Sequence, residues 1–245
     1  MSQHIGPRTI SATGGSIKRV GNYRVHTFPS ELVTDGLVLN LDAGDPRSYP
    51  GSGTSWTDLS GNGNTGTLTN GPTYSSANGG SLVFDGVDDY ATVSNVQPNT
   101  NDFTISVWVY KNNNTSNDYV WDFGANGGTL ASGTSVGYGF RYYNSTLGGG
   151  SNMYTQGTIP NINEWYEVTI TRNNGTSSMY VNGAFVTSAS GDTHNISSST
   201  LYIGRYGGGT SYEHDGIMSN FKIYNKALTA SEIQQNYNAL KGRFQ

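Results

Sequence analysis

Between residues 36 and 224 the chain repeats one pattern, a short run of alternating apolar and polar side chains that ends in glycine, asparagine or aspartate. The clearest run, FTISVWVY (103–110), places Phe103, Ile105 and Val107 on one face, with Trp108 and Tyr110 on the other. A period of two residues is that of a β-strand. Large residues on both faces predict one core face and one half-covered or binding face. Because these runs do not alternate with helical segments, the pattern predicts an all-β, two-sheet antiparallel sandwich or jelly roll.

Composition supports this prediction. The chain has 245 residues with 34 glycines and 17 tyrosines, residue types that favour turns and pleated strands respectively. Four tryptophans and eight phenylalanines provide the apolar area that a disordered chain lacks. The length suits one large β domain with a short extra segment.

Charge and targeting signals narrow the classes of function. The net charge is −4 and 12% of residues are charged, which does not suit capture of nucleic acid. The sequence has neither a signal peptide nor an apolar run long enough to enter a bilayer, so we expect synthesis in a cytoplasm without membrane insertion. The absence of cysteine excludes disulfides.

The first 35 residues differ from the rest and predict an N-terminal arm, with residues 36–245 as the main domain. The arm has one strand-like run, YRVHTF (23–28), and three basic residues, Lys18, Arg19 and Arg24. We expect these residues to dock the arm on an acidic surface of a neighbouring protein.

Two local patterns predict a hairpin and a helix in the C-terminal part of the chain. The Asn182–Gly183 pair between apolar runs predicts a type I′ hairpin. Thr229 followed by Glu232 is a capping box, and Ile233, Tyr237 and Leu240 form one apolar stripe. This predicts one short C-terminal helix, which stops near Gly242.

The segment SGNGNTG contains the spacing G-x-G-x-x-G at Gly61, Gly63 and Gly66. A dinucleotide site needs a buried strand before this motif and a helix after it, and the flanking sequence predicts neither. Two interpretations of the loop stay open. Calcium needs six to eight oxygen ligands, which a set of nearby oxygen-bearing side chains could begin to supply. These are Asp58, Asn62, Asn64, Asp85 and Asp88. The alternative is that the same residues form Asx-turns.

The sequence predicts no enzyme. GTSVG (133–137) fits the spacing of a nucleophile elbow, but no helix follows it. Glu164 and Glu167 share a predicted strand, and their odd spacing sends them to opposite faces, which does not suit a glycosidase pair. The four histidines have no metal-like spacing.

The surplus of tyrosine is the remaining functional signal, since exposed tyrosine stacks on sugars or anchors protein interfaces. We therefore predict a glycan- or protein-binding surface, with a core role as the alternative for any single ring. Its residues are Tyr138, Tyr142, Tyr143, Arg205, Tyr206 and Tyr212.

Several segments occur in an order that resembles a known family. They are SWTDLSGNGNTGTLTNGPTY, GGSLVFDGVDDYATV, FTISVWVY, WYEVTITR, SMYVNGAFV and NFKIYNKALTASEI. Over residues 36–241 the chain resembles a laminin-G-like, concanavalin-A-like jelly-roll domain. The segment VTDGLVLNLDAGDPRSYPGSGTSW is similar to the corresponding segment of such domains in virion structural proteins of tailed bacteriophages, including phages of aquatic bacteria. The arm ATGGSIKRVGNYRVHTF resembles a glycine-rich element of phage fibre and other virion proteins.

The resemblance implies a sandwich that binds glycans or proteins, sometimes through calcium. We therefore expect a non-enzymatic protein on the exterior of a phage particle, most simply a capsid decoration protein that contacts neighbouring virion proteins. A compact domain with a short arm favours decoration over a repetitive fibre shaft. Repeated copies, or a homo-oligomer on a symmetric particle, would strengthen such contacts. The alternative is a fibre- or spike-associated adhesin that recognises host surface glycans. We expect no required cofactor, with calcium as the alternative.

Overall fold

The computed structural model describes most of the chain. The described residues are 16–20, 23–27, 31–96, 101–112, 118–124, 128–133, 139–144, 153–155, 161, 163–193, 196, 200–207, 209 and 212–244. Within them the strands are β1 (Ser16–Val20), β2 (Tyr23–Thr27), β3 (Leu37–Asp42), β4 (Ser55–Trp56), β5 (Gly66–Thr69), β6 (Thr73–Ser75), β7 (Ser81–Asp85), β8 (Tyr90–Ser94), β9 (Phe103–Lys111), β10 (Asp118–Asp122), β11 (Thr129–Ser132), β12 (Phe140–Tyr143), β13 (Met153–Tyr154), β14 (Trp165–Asn173), β15 (Thr176–Val181), β16 (Ala184–Ser190), β17 (Thr200–Ile203) and β18 (Asp215–Tyr224). Helix α1 spans Ala230–Leu240, and short 3-10 turns span Ala77–Gly79 and Lys241–Arg243.

Two antiparallel sheets form the body of the protein. The front sheet has the order β13-β12-β11-β10-β17-β8-β5-β4. The back sheet has the order β16-β15-β14-β9-β18-β7-β6, and β3 pairs with β18 beside β7. The predicted fold class, a two-sheet antiparallel jelly-roll sandwich with one short C-terminal helix, is confirmed.

The main core lies between the two sheets. Alternate residues of β9, among them Phe103, Ile105 and Val107, are buried as the sequence pattern predicts. Trp121 and Leu130, from the front sheet, belong to the same buried cluster. Fully burying a side chain of this size stabilises a fold by roughly 1.5–3 kcal/mol, so this layer dominates the stability of the sandwich.

The outer surface of the back sheet is covered by the C-terminal segment. Trp108 of β9 stacks on Tyr237 at 5.6 Å and on Phe244 at 4.2 Å between ring centroids. The predicted capping box is present, because Thr229 Oγ1 accepts a hydrogen bond from Glu232 N and the Glu232 carboxylate accepts one from Thr229 N. The face of β9 that the sequence predicted to be half-covered or binding is therefore a second buried layer.

The N-terminal hairpin pairs β1 with β2 and places Arg19 opposite Arg24. Strand β2 matches the predicted run at 23–28, whereas β1 was missed because SIKRV lacks an alternating pattern. Farther along, Val33 packs with Tyr224, Leu228 and Ile233. The residues just before the predicted domain boundary thus contact the sandwich and its helix.

The glycine-rich segment covers the free edge of β3. Asp58 Oδ1 accepts hydrogen bonds from the backbone N–H groups of Asn40 and Ser60, and Asp58 Oδ2 accepts one from Asn64 N. The side-chain amide of Asn64 donates to Val38 O at 2.8 Å, and that of Asn62 donates to Leu37 O at 3.1 Å. An exposed strand edge invites pairing with another chain, and this loop occupies the groups that would do so.

Candidate binding face

The outward face of the front sheet presents a row of polar and aromatic side chains. The strand register places Tyr202 opposite Thr92 on one side and Asp122 on the other. Asp122 is in turn opposite Thr129, which is opposite Tyr143. Because side chains alternate across a strand, this row points away from the core, while its neighbours Leu201, Trp121 and Leu130 point inward.

Three tyrosine rings stand together beside this row. The ring centroid of Tyr119 lies 5.3 Å from that of Tyr206 and 5.3 Å from that of Tyr212. Tyr206 and Tyr212 are 6.5 Å apart and perpendicular to one another. Tyr212 is 50% exposed, and the other two rings are partly exposed. We call these three residues the tyrosine cluster.

The connection from β17 to β18 is anchored to the sheet by two side chains. The Arg205 guanidinium lies 4.4 Å above the centre of the Tyr90 ring and donates to Tyr206 O at 3.2 Å. Asp122 Oδ2 accepts a hydrogen bond from Gly207 N at 2.8 Å, and Asp122 Oδ1 accepts one from Thr129 Oγ1 at 2.6 Å. Burial raises the pKa of the Asp122 carboxyl, against the effect of these hydrogen bonds. Asp122 therefore supports the loop from below.

Tyr212 adopts a backbone conformation that is rare for its residue type. Its φ is 66°, in the left-handed region that disfavours residues with a bulky side chain. Its carbonyl oxygen accepts a hydrogen bond from Tyr119 N at 2.9 Å. Strained backbone persists where the surrounding structure fixes it, and such positions concentrate at binding sites.

A buried cluster of charges lies next in the chain to two members of the tyrosine cluster. Asp118 contacts Lys111 Nζ at 2.7 Å and His214 Nδ1 at 3.1 Å. Ser132 Oγ also donates to Asp118 Oδ1. Burial alone would raise the pKa of the Asp118 carboxyl, but His214 and Lys111 outweigh it and the pKa lies below the usual value. Asp118 precedes Tyr119, and His214 follows Tyr212 by two residues, so this cluster helps fix both rings.

The predicted surface residues have separate outcomes. Arg205, Tyr206 and Tyr212 lie together, and Tyr143 is 41% exposed in the outward row of the same sheet. The prediction for Tyr142 was wrong, because Tyr142 pairs with Leu130, points inward and is fully buried. Burial strongly raises the pKa of its phenol. Tyr138 lies outside the described residues.

The sequence analysis missed Tyr90, Tyr119 and Asp122. The alternation in YATV was a signal for Tyr90, but a β-bulge between Tyr119 and Trp121 breaks the alternation in YVWDF. A strict period of two would place Tyr119 and Asp122 on opposite faces. Which face points outward is decided by pairing with distant strands, and a single sequence does not show it.

The residues predicted to bind calcium are divided between two places. Asp58, Asn62 and Asn64 form the loop that covers β3, which matches the alternative interpretation as turn formers. In the β7–β8 connection, Asp85, Asp88 and Asp89 bring ligand oxygens within 4.8 Å of one another. Asp85 Oδ1 accepts from Val87 N at 2.9 Å, and Asp89 Oδ2 accepts from Asp85 N at 3.2 Å. Burial and the charges of Asp85 and Asp88 raise the pKa of Asp89, although its hydrogen bond from Asp85 N opposes this.

Glu164 and Glu167 do not share a cleft. Glu164 is exposed and accepts hydrogen bonds from Tyr166 and Asn161. Glu167 is buried in the back sheet, where it accepts a hydrogen bond from Ser106 Oγ at 3.0 Å and lies 3.8 Å from Lys222 Nζ. A buried carboxylate of this kind does not reach a substrate. Of the GTSVG motif, residues 134–137 lie outside the described residues.

The described helices include none long and apolar enough to cross a bilayer. The basic residues of the arm, Lys18, Arg19 and Arg24, lie on β1 and β2, and their role in docking stays a prediction.

Comparison with solved structures gives the same fold at low sequence identity. Domain 4 of AbnA, a GH43 extracellular arabinanase from Geobacillus stearothermophilus solved with arabinotriose, matches with a TM-score of 0.65 and 18% identity, covering 82% of this chain and 98% of that domain. The binding domain of Paraclostridial Mosquitocidal Protein 1 matches with a TM-score of 0.65 and 21% identity, covering 84% of this chain and 52% of that domain. Trypanosoma rangeli sialidase, solved with the inhibitor DANA, matches with a TM-score of 0.61 and 19% identity, covering 84% of this chain and 33% of the sialidase.

The chain thus spans about half of the mosquitocidal binding domain and a third of the sialidase. No curated protein sequence matches it significantly. A family model described as the concanavalin A-like lectin/glucanases superfamily matches residues 85–234, which is more than half of the sequence and includes β8, β10, β17 and the tyrosine cluster. The chain belongs to the concanavalin A-like lectin/glucanases superfamily, as a laminin-G-like jelly roll.

Proposed function

We propose that this protein is a non-catalytic binding module that takes carbohydrate on the outward face of its front sheet. The observation that supports this most is the tyrosine cluster, in which an exposed Tyr212 is fixed in a left-handed conformation against Tyr119 and Tyr206. A fold retains such a strained aromatic residue where the ring has a use.

The chemistry of the face suits a sugar. Aromatic rings offer flat apolar area for the C–H face of a pyranose or furanose, and tyrosine adds a hydroxyl for its polar edge. Thr92 and Tyr202 add hydroxyl groups at one end of the outward row and Tyr143 adds one at the other end, with Asp122 and Thr129 buried between them. Ligand sites usually combine apolar area with a small number of polar groups.

Similarity to the arabinanase domain supports the same proposal. That domain was solved with a trisaccharide, and this chain covers 98% of it. The binding domain of the mosquitocidal protein is a further match, and its name also describes a binding role. At these identities the similarity concerns the fold, so the proposal depends on the tyrosine cluster.

A glycan array tests this proposal. We expect saturable binding to a subset of glycans by the natural chain, and loss of that binding by at least about tenfold in the Tyr206→Ala variant, which corresponds to 1.4 kcal/mol. Tyr74→Ala is the matched control, because Tyr74 is an exposed tyrosine of β6 in the back sheet. Absence of glycan binding, or equal losses in both variants, would contradict the proposal.

The setting of the module is a second proposal. The resemblance to tailed-phage proteins and the separate β1–β2 hairpin support a protein displayed on the outside of a phage particle, with the arm docked on neighbouring capsid or fibre subunits. Copy number decides between the two locations. One copy per capsomer in purified particles would support decoration, whereas a few copies at the tail would support an adhesin.

We also propose that Asp85, Asp88 and Asp89 bind calcium. Three carboxylates within 4.8 Å would supply part of the six to eight oxygens that calcium takes, and a cation would relieve their mutual repulsion. Calcium should raise the melting temperature of the natural chain, and Asp88→Asn, a change at an exposed carboxylate, should abolish the rise. An equal rise in the variant would overturn the assignment.

A further inference from the structure

The edges of the sandwich are of unequal length. Three terminal strands, β4, β6 and β13, span only two or three described residues each. The fourth, β16, spans seven, Ala184–Ser190, and among the described strands it pairs only with β15. Short edge strands are one of the ways in which proteins prevent edge-to-edge association, and β16 lacks this protection.

Strand β16 also lacks two other usual protections, a charged side chain and a proline, since its sequence is AFVTSAS. By contrast, the free edge of β3 is covered by the side chains of Asp58, Asn62 and Asn64. A β-bulge at Val186 interrupts the register with β15, and no described strand pairs with the other side of the regular stretch Thr187–Ser190.

Apolar area is exposed at the same place. Phe185 is 58% exposed and Val186 is 38% exposed, and the two are adjacent in the chain. The Phe185 ring is fixed edge-on against Tyr180 at 5.6 Å. An exposed aromatic side chain of fixed orientation beside unpaired backbone groups is typical of an association site.

The charge distribution favours a second copy of this chain as the occupant. Over residues 176–193 the only Asp, Glu, Lys, Arg or His is Asp192. Asp192 is fully buried, where it accepts a hydrogen bond from Ser177 Oγ. Two copies of this hairpin can therefore meet without like-charge repulsion, whereas a charged partner would find no complementary group here. Two-fold dimers are also the most common form of association between identical chains.

We propose that β16 pairs antiparallel with β16 of a second copy about a two-fold axis at Ser188, so that Ser188 of one copy lies opposite Ser188 of the other. The back sheets of the two copies then form one continuous sheet, and Phe185 and Val186 contribute apolar contact beside the new strand pair. This inference does not depend on carbohydrate binding, since it concerns the back sheet. It would give the dimer two tyrosine clusters, and bivalent binding to a surface of repeated glycans is stronger than single binding.

Sedimentation of the full chain with charge-swapped variants tests the pairing. The natural chain should sediment as a dimer at micromolar concentration. Ser188→Glu and Ser188→Lys should each be monomers, because the two-fold axis brings identical charges together. An equimolar mixture of the two should restore the dimer, because opposite charges across a strand pair attract. Phe185→Ser should weaken association by about tenfold, the equivalent of 1.4 kcal/mol.

Thr73→Lys is the matched control, a charge placed on the short edge strand β6, and it should leave the dimer intact. Unchanged melting temperatures would establish that the variants fold. A natural chain that stays monomeric over the micromolar range, or Ser188 variants that dimerise as the natural chain does, would overturn the proposal.

Discussion

Tyr212 combines a strained backbone with an exposed ring, and two substitutions distinguish the effects of these properties. Its φ of 66° is a conformation that glycine adopts freely and alanine does not. We expect Tyr212→Gly to be more stable than Tyr212→Ala by about 1 kcal/mol, since both lose the ring and only alanine retains the strain. Urea unfolding of the two variants measures this difference. Both variants should lose glycan binding, and an alanine variant at least as stable as the glycine variant would show that position 212 is not strained.

Asp118 is the residue on which the base of the tyrosine cluster depends. Removing one partner of a buried ion pair leaves uncompensated charge, which costs about 3–5 kcal/mol. We expect Asp118→Asn to reduce the free energy of unfolding by about that amount, because Lys111 and His214 stay buried. Asp35→Asn is the control. Its exposed pair with Lys226 should contribute less than about 1 kcal/mol.

The same carboxylate predicts how stability depends on pH. The pKa of Asp118 lies below its unfolded value, so its contribution to stability is complete above that unfolded value. As the pH falls through the lowered folded pKa, the carboxylate is protonated and the contribution is lost. Unfolding measured from neutral to acid pH should show a smaller loss of stability in Asp118→Asn than in the natural chain. Parallel pH profiles would contradict the assignment.

At the scale of elements, the loop at residues 58–64 protects a strand edge. Asp58→Ala removes the acceptor for the N–H groups of Asn40, Ser60 and Asn64, and we expect a loss of about 3 kcal/mol because buried donors are left unpaired. Asp58→Asn keeps one acceptor oxygen and should lose less. Chemical unfolding measures both losses. Light scattering should also show concentration-dependent association in Asp58→Ala, because the edge of β3 becomes free. Equal stability of the two variants would contradict this role.

Local patterns predicted the elements whose geometry is local. The alternation in β9 and β14 identified strands, and Asn182 and Gly183 both have the positive φ that a type I′ turn needs. The capping box at Thr229 was correct for the same reason. In FRYY, by contrast, successive tyrosines occupy opposite faces, and the pairing of β12 with β11 decides that Tyr142 is inside and Tyr143 outside. Trp108 was likewise covered by residues more than a hundred positions away.

In the whole molecule, the two outer faces of the sandwich are covered to different extents. The C-terminal helix and Phe244 cover the outer side of the back sheet, whereas Tyr119, Tyr202 and Tyr143 on the outer side of the front sheet are at least partly exposed. The tyrosine cluster lies around Tyr119 of the front sheet, whereas β16 is an edge strand of the back sheet. Ligand binding and self-association can therefore occur together, and charge variants at Ser188 should leave the intrinsic affinity for a monovalent sugar unchanged. A parallel loss of both would contradict this separation.

A nuclear magnetic resonance titration of the isotope-labelled chain with the best glycan from the array would locate carbohydrate at the tyrosine cluster residue by residue. We predict that the shifts on saturation concentrate at Tyr119, Tyr206 and Tyr212 and their neighbours on β10 and β17. The resonances of β6 and β16 should stay in place. Shifts confined to the back sheet, or to the 58–64 loop, would contradict the account.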